Sequence, residues 1–333
     1  MPLDTLEELG FLKMKKTLGL AAVIAAALCA PATASTVTAE SLLADFNTIV
    51  LGDLNATGET EGTVFVGGNV TQASTVNRDL LDNGNAAGSF GTLVVGGNVD
   101  GNSFAIESGD IVIGGDLNTT INNNGGGTVT VGGDLNGQVQ GGNVAVGDAV
   151  DVDTVRDILT SLSYDLSQLT ATPGSGVDTD QNNLNIFSGS GIDGLSVVTA
   201  PDEFLQFGGS NNRFSGIDTT ITTIVNIGGL NPILGANIGA TIFDTVLLNF
   251  FEAETLTINA GVSFSILSPF ADVTTQGGGI NGTVVAGNLR QQSEIRSPTF
   301  DGTISVSPVP LPAGAWLLLA SFGAFGFARR TKA

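Results

Sequence analysis

Histidine is missing from all 333 residues, and the only cysteine, Cys29, lies near the start. Lysine occurs at positions 13, 15, 16 and 332 alone, so residues 35–308 contain no His, Cys or Lys. That stretch therefore cannot form a Ser–His or Cys–His couple, a Schiff base, a disulfide or a thiolate–metal centre. Aromatics are equally sparse. Trp316 is the only tryptophan and Tyr164 the only tyrosine beside 18 phenylalanines, and the lack of tryptophan in residues 35–308 argues against an aromatic platform for sugar rings. Basic charge between 35 and 308 rests on Arg78, Arg156, Arg213, Arg290 and Arg296, against 29 acids, a formal balance of −24. Nucleic acid and anionic lipid would repel such a chain.

The two ends differ from the middle. Met14-Lys15-Lys16 precedes an apolar run from Leu18 to Leu28, and Ala32-Thr33-Ala34 follows it. This is the order of a secretory signal, with cleavage expected between Ala34 and Ser35 by signal peptidase. The acidic stretch before Met14 fits no signal, so Met14 reads as the true start. Cys29 would leave with the signal peptide. At the other end, Val309-Pro310-Leu311-Pro312-Ala313 opens an uncharged run to Ala328, closed by Arg329, Arg330 and Lys332. Sixteen helical residues reach about 24 Å, marginal for a bilayer core of about 30 Å, and the basic cluster would stay in the cytoplasm.

The tail resembles the VPLPA variant of PEP-CTERM sorting signals, carried by Val309, Pro310, Leu311, Pro312, Ala313, Arg329 and Arg330. That resemblance implies a Gram-negative host, transient embedding in the inner membrane, processing by an exosortase-type protease, and delivery to the cell surface or extracellular matrix.

What fills the middle is repetition. GTVFVGGNV (62–70), GTLVVGGNV (91–99), GDIVIGGDL (109–117) and GTVTVGGDL (127–135) recur, the last three at intervals of 18, with a weaker copy GTVVAGNL at 282–289. A period of 18 suits one coil of a parallel β-solenoid. Val64/Val66, Leu93/Val95, Ile111/Ile113 and Val129/Val131 alternate toward one face. The Gly-Gly step is expected to supply backbone angles closed to other residues. Asn69, Asn98, Asp116 and Asp134 are expected to bond their local backbone as turn residues do, and Val70, Val99, Leu117 and Leu135 to point inward again.

Other uses of such glycines fit less well. A phosphate-binding turn must open a helix, and none of these copies leads into a helical pattern. GSGIDG (189–194) matches a dinucleotide fingerprint formally but runs into β-branched residues and Pro201. Asp116 and Asp134 are weak calcium candidates, because Asn69 and Asn98 hold the matching positions. The outward central positions, Phe65, Val94, Val112 and Thr130, form no threonine row of the kind an ice-binding plane would need.

From about 150 to 170 the period becomes helical. Val155, Ile158, Leu159, Leu162, Leu166 and Leu169 form one stripe, and the helix is expected to lie along the flank of the solenoid with Tyr164 as a flank contact. The expected fold is thus all-β, a parallel β-helix with one long α-helix packed along its flank, plus an N-terminal signal helix and a C-terminal transmembrane helix. The expected division is 1–34 signal, 35–304 solenoid, 305–333 sorting tail.

ADFNTIVLGDL, EGTVFVGGNV, IVNIGG, LLNFFEAETLTI and SFSILSPFADVTTQGGGINGTVVAGNL occur in an order that resembles choice-of-anchor A domains. Leu248 and Arg296 depart from the residues common there, Trp and His. The resemblance implies an extracellular adhesive β-helix without catalysis. Against it stands a carbohydrate-active enzyme working through carboxylate pairs, with Asp151/Asp153, Asp178/Asp180 and Glu252/Glu254 as candidates; a third reading is purely architectural. The sequence therefore points to a secreted adhesive protein with no cofactor and no nucleic-acid partner, displaying an acidic, Asn/Thr-rich face to a glycan or matrix protein.

Overall fold

The computed structural model describes residues 37–77, 91–147, 150–180, 183–201, 216–235 and 241–304. The signal segment with Ala34 and Ser35, Arg78, Arg213, and the tail from 305 with its motif and apolar run lie outside these residues. Among the described residues no helix is long and apolar enough to cross a membrane.

The described residues open with helix α1, Ala39–Asp45, begun by a reciprocal cap: Thr38 Oγ1 accepts from Ser41 N at 3.1 Å and Ser41 Oγ accepts from Thr38 N at 3.0 Å. Short strands follow. They are β1 (Thr48–Val50), β2 (Leu54–Ala56), β3 (Val64–Val66), β4 (Val70–Gln72), β5 (Leu93–Val95), β6 (Phe104–Ile106), β7 (Ile111–Ile113) and β8 (Thr120–Asn123). Then come β9 (Thr128–Val131), β10 (Gln138–Gln140) and β11 (Asn143–Val146) before helix α2, Val152–Ser167. The second half holds the hairpin β12 (Gly176–Asp180) and β13 (Asn183–Phe187), then β14 (Leu195–Ala200), β15 (Thr222–Ile227), β16 (Ile233–Leu234) and β17 (Phe243–Asn249). It ends with β18 (Thr255–Ile258), β19 (Phe264–Thr275), β20 (Ile280–Asn281), β21 (Val284–Gln291) and β22 (Ile295–Arg296).

Nearly all pairing is parallel and in register from coil to coil, as in Val64↔Leu93↔Ile111↔Val129. The fold is mostly β, a solenoid whose coils each contribute two or three short extended segments. Interior positions are aliphatic: Val66, Val95, Ile111, Ile113, Val99 and Leu117 are buried in one continuous core, each worth about 1.5–3 kcal/mol on removal from water. A coil cannot achieve this alone, because the cover for each aliphatic is the coil above and below.

Stacking does not follow sequence order. The main sheet runs β11-β9-β7-β5-β3-β1-β21-β19-β17-β15-β14. The first coil therefore sits mid-stack, with β1 between β3 and β21 (Thr48↔Val64, Thr48↔Val284). The chain builds outward to β11, returns through α2, and builds back from β14 until β21 meets β1. The weak repeat at 282–289 is the coil stacked directly on the first one.

Helix α2 makes that return. Val152 lies beside the Gly67 and Gly96 corners, Arg156 Nη2 donates to Leu51 O at 3.1 Å, and Leu166 O accepts from Asn226 Nδ2 at 2.7 Å. Val152 to Leu166 covers about 21 Å of helix. The five coil steps from β3 to β15 need about 24 Å at about 4.8 Å each. The expected flank helix is present, though shorter than the 150–170 stripe, and its buried side comprises Val155, Leu159, Leu162, Ser163 and Leu166. Ile158 and Leu169 are only partly covered, and Tyr164 is 61% exposed, not a flank contact.

The helices change the meaning of the outward central positions. Phe65 and Val94 are buried, with Phe65 edge-on to Phe46 after α1 (5.9 Å, 69°). Val112 and Thr130, beyond the start of α2, are partly open. This row is a second apolar layer rather than a ligand face.

The corner glycines also have a different cause from the expected one. None of Gly67, Gly68, Gly96, Gly97, Gly114, Gly115, Gly132 or Gly133 is in the left-handed region. A Cβ on Gly97 would instead lie 2.7 Å from Gly68 O, and one on Gly133 2.7 Å from Gly115 C. Glycine is required because neighbouring coils touch backbone to backbone at the corner.

Candidate functional site: a two-file polar face

An Asn or Asp stands at the corner of seven coils: Asn69, Asn98, Asp116 and Asp134 follow a Gly-Gly step, Asp53 and Asn288 a single Gly, and Asp272 an Ala. Asn69 Oδ1 accepts from Asn98 N at 2.9 Å, Asn98 Oδ1 from Asp116 N at 2.8 Å, and Asp116 Oδ1 from Asp134 N at 2.7 Å. In the other direction Asp53 Oδ1 accepts from Asn69 N at 2.7 Å and Asn288 Oδ1 from Asp53 N at 2.8 Å. Asn288 Nδ2 donates to Asp272 Oδ1 at 2.7 Å. The side chains therefore bond the next coil, not their own turn as the sequence suggested. The five bonds from backbone amides each satisfy a corner N–H that the strand ladder leaves free, worth about 1 kcal/mol, and the Asn288–Asp272 contact joins side chains only.

The ladder gives Asp116 a structural task, since one carboxylate oxygen is committed to the Asp134 amide. Asp134, on the last corner, is exposed. Among the described residues no group of three His, Cys, Asp or Glu side chains could hold a metal ion.

Two residues further along each coil, past an inward aliphatic, a second file points outward. Its members are Thr257, Thr274, Arg290, Asn55, Thr71, Asp100, Asn118 and Asn136, placed side by side by parallel pairing and bridges. Some join laterally: Asn55 Nδ2 to Thr71 Oγ1 at 3.1 Å, Asn118 Nδ2 to Asp100 Oδ1 at 2.7 Å, Asn136 Nδ2 to Asn118 Oδ1 at 2.9 Å. Thr71, Arg290, Asn118 and Asn136 are exposed. A shallow depression of about 340 Å³ opens where Arg290 stands among Asp53, Asn55, Thr71, Asp272 and Thr274. Arg290 has no ion pair among the described residues. With period-2 alternation holding inward aliphatics between the files, the face is a fixed grid of amide, hydroxyl and carboxylate groups. It suits contact with a hydroxyl- and amide-rich surface.

The sequence-derived carboxylate pairs fall elsewhere and apart. Asp151 caps α2, accepting from Thr154 N at 3.2 Å and Thr154 Oγ1 at 2.7 Å, which holds its carboxyl below the ordinary aspartate value. Asp153, two residues on, pairs with Arg156 at 2.6 Å. Glu252 Oε2 accepts from Gly229 N at 3.2 Å in a turn after β17 that also carries Glu254. Asp178 and Asp180 lie on β12.

Asp53, Asp272 and Asn288 were not singled out by sequence reasoning. The signal was present in TIVLGDL (48–54), which ends in the same Gly-Asx-Leu step as GTVVAGNL.

Fold and face together define a parallel β-solenoid with a discontinuous coil order, one helix-covered flank and one ordered polar face. A family model described as "Putative Ice-binding-like adhesive domain" matches residues 39–297, and the chain belongs to this ice-binding-like adhesive domain family. Among solved structures, an ice-binding protein from an Antarctic ascomycete, Antarctomyces psychrotrophicus, is similar at 12% identity and a TM-score of 0.32, over 79% of this chain and 100% of that one. A search of curated proteins returns no match.

Proposed function

We propose that this protein is a non-catalytic surface adhesive that presents its two-file polar face to a neutral glycan of the extracellular matrix. The observation that carries the reading is the fixed lateral array of Asx and Thr groups over successive coils. Hydroxylated polymers match such an array because each saccharide hydroxyl both donates and accepts. The acids on and around the face would repel polyanions, and Arg290 beside Asp53 and Asp272 offsets only part of that charge. Family membership supports an adhesive or structural role at the surface. The choice-of-anchor A kinship and the PEP-CTERM-like tail at 309–330 support secretion, exosortase processing and retention outside the cell.

The test has two arms. Cells producing the full chain, or a chain with Arg329 and Arg330 changed to Ala, are fractionated, and surface retention is expected only for the first. The purified full chain is then applied to an array of neutral and acidic glycans and matrix proteins, beside Asn55→Lys/Asn118→Lys and an ice-recrystallisation assay. Neutral glycan binding that falls at least tenfold in the double variant supports the reading. Ice-growth inhibition without glycan binding, or glycan binding indifferent to the double variant, overturns it.

A further inference from the structure

The two ends of the solenoid are unlike. At the β14 end the edge is occupied: Val197 N donates to Thr172 Oγ1 at 2.9 Å, and Val197 O accepts from Thr172 N at 2.9 Å and Ser175 Oγ at 2.6 Å. The β12–β13 hairpin adds the buried Ile186. At the other end, among the described residues, β11 pairs with β9 on one side only. Positions that are inward elsewhere are open there. Leu135 is 47% exposed where Leu117 and Val99 are 0%, and Val144 and Val146 are 49% and 93% exposed where Ile111 and Ile113 are 0%. An unpaired strand edge beside bare aliphatics is the arrangement that natural sheets and repeat ends otherwise cover.

We propose that this end is an interface, and that its occupant is the same end of a second copy of the chain. Charge argues for a second copy at this place. Residues 135–147, LNGQVQGGNVAVG, between Asp134 and Asp148, contain no charged side chain, in a chain whose residues 35–308 have a balance of −24. Two copies of so acidic a protein can approach closely only where charge is missing. Symmetry then limits the assembly. The β14 edge is already satisfied, so β11 cannot dock head-to-tail into a filament. β11 against β11 about a two-fold axis gives a closed dimer.

Sedimentation velocity on the full chain, in a mild non-ionic detergent that keeps the 313–328 run in solution, tests this. The wild-type chain should show a concentration-dependent monomer–dimer equilibrium. Val146→Asp should raise its dissociation constant at least tenfold, with circular dichroism and melting temperature confirming the fold. Phe270→Asp, which removes an apolar group exposed elsewhere on the surface, should leave it unchanged. In a Cys29→Ser background, Val146→Cys should cross-link as a dimer on mild oxidation at least fivefold faster than Phe270→Cys. A monomer at every concentration, a dimer indifferent to Val146→Asp, or equal cross-linking by the two cysteine variants overturns the proposal.

Discussion

Asn249 Nδ2 donates to Asn226 Oδ1 at 2.8 Å, one coil away, and both side chains also grip helix α2. Asn249 donates to Ser163 O at 2.9 Å and accepts from Ser163 Oγ at 2.6 Å, while Asn226 donates to Leu166 O. All three residues are buried. The helix is thus clamped near its C-terminal end by two amides projecting from adjacent strands, in the IVNIGG and LLNFF blocks of the sequence.

Removing one of these amides should be costly. Asn249→Ala leaves the Asn226 carbonyl oxygen and the Ser163 hydroxyl without partners, and should destabilise the fold by about 2–4 kcal/mol. Urea unfolding against the exposed control Asn136→Ala, expected within about 0.5 kcal/mol of wild type, checks this.

The corner ladder should accept any side chain with an acceptor at the right place. Asn98→Asp preserves the bond to the Asp116 amide and should be near neutral, whereas Asn98→Leu should cost about 1–2 kcal/mol. Denaturant midpoints at neutral pH separate the two.

At the corners, space decides. Gly115→Ala would place a Cβ 2.7 Å from Gly97 backbone atoms, and should destabilise by about 2–3 kcal/mol or prevent folding. Gly126 has a φ of +72° with nothing within 4 Å of its would-be Cβ. There Gly126→Asn should be tolerated better than Gly126→Ala, because Asn enters that region more readily. Thermal melts of the three variants rank them.

Acid should act in opposite directions at two aspartates. Hydrogen bonds from Thr154 lower the Asp151 carboxyl. Its stabilising effect is therefore present above the ordinary aspartate value and lost as pH falls through the lowered one. Burial raises Asp45 at the end of α1, so its carboxylate opposes folding above the raised value, and that opposition disappears on acidification. Asp45→Asn should raise the melting temperature at pH 7 with a gain that vanishes in acid. Asp151→Ala should lower it at pH 7 with a loss that shrinks in acid. Melting curves from pH 7 to pH 3 decide both signs.

The solenoid and its flank helix were legible because both announce themselves by period: aliphatics two apart before each corner, and a stripe at 155, 159, 162 and 166. The order of the coils was not, because parallel stacking is set by complementarity between distant segments. Nothing local in GTVVAGNL marks it as the neighbour of TIVLGDL. The ladder was half legible. Asn69, Asn98, Asp116 and Asp134 stood out by position, but whether an Asx side chain bonds its own turn or the next coil depends on a close approach visible only in three dimensions. The cover over Phe65 and Val94 was illegible for a similar reason, since the alternation says which side of a strand a residue faces and not what covers that side.

The insertion of the first coil at mid-stack brings Glu40 and Ile304 together, with Ile304 N donating to Glu40 Oε1 at 2.6 Å. A tensile load applied between these two positions would meet that contact and the α1 cap first. The coils, lying off the line of force, would be shielded from unwinding.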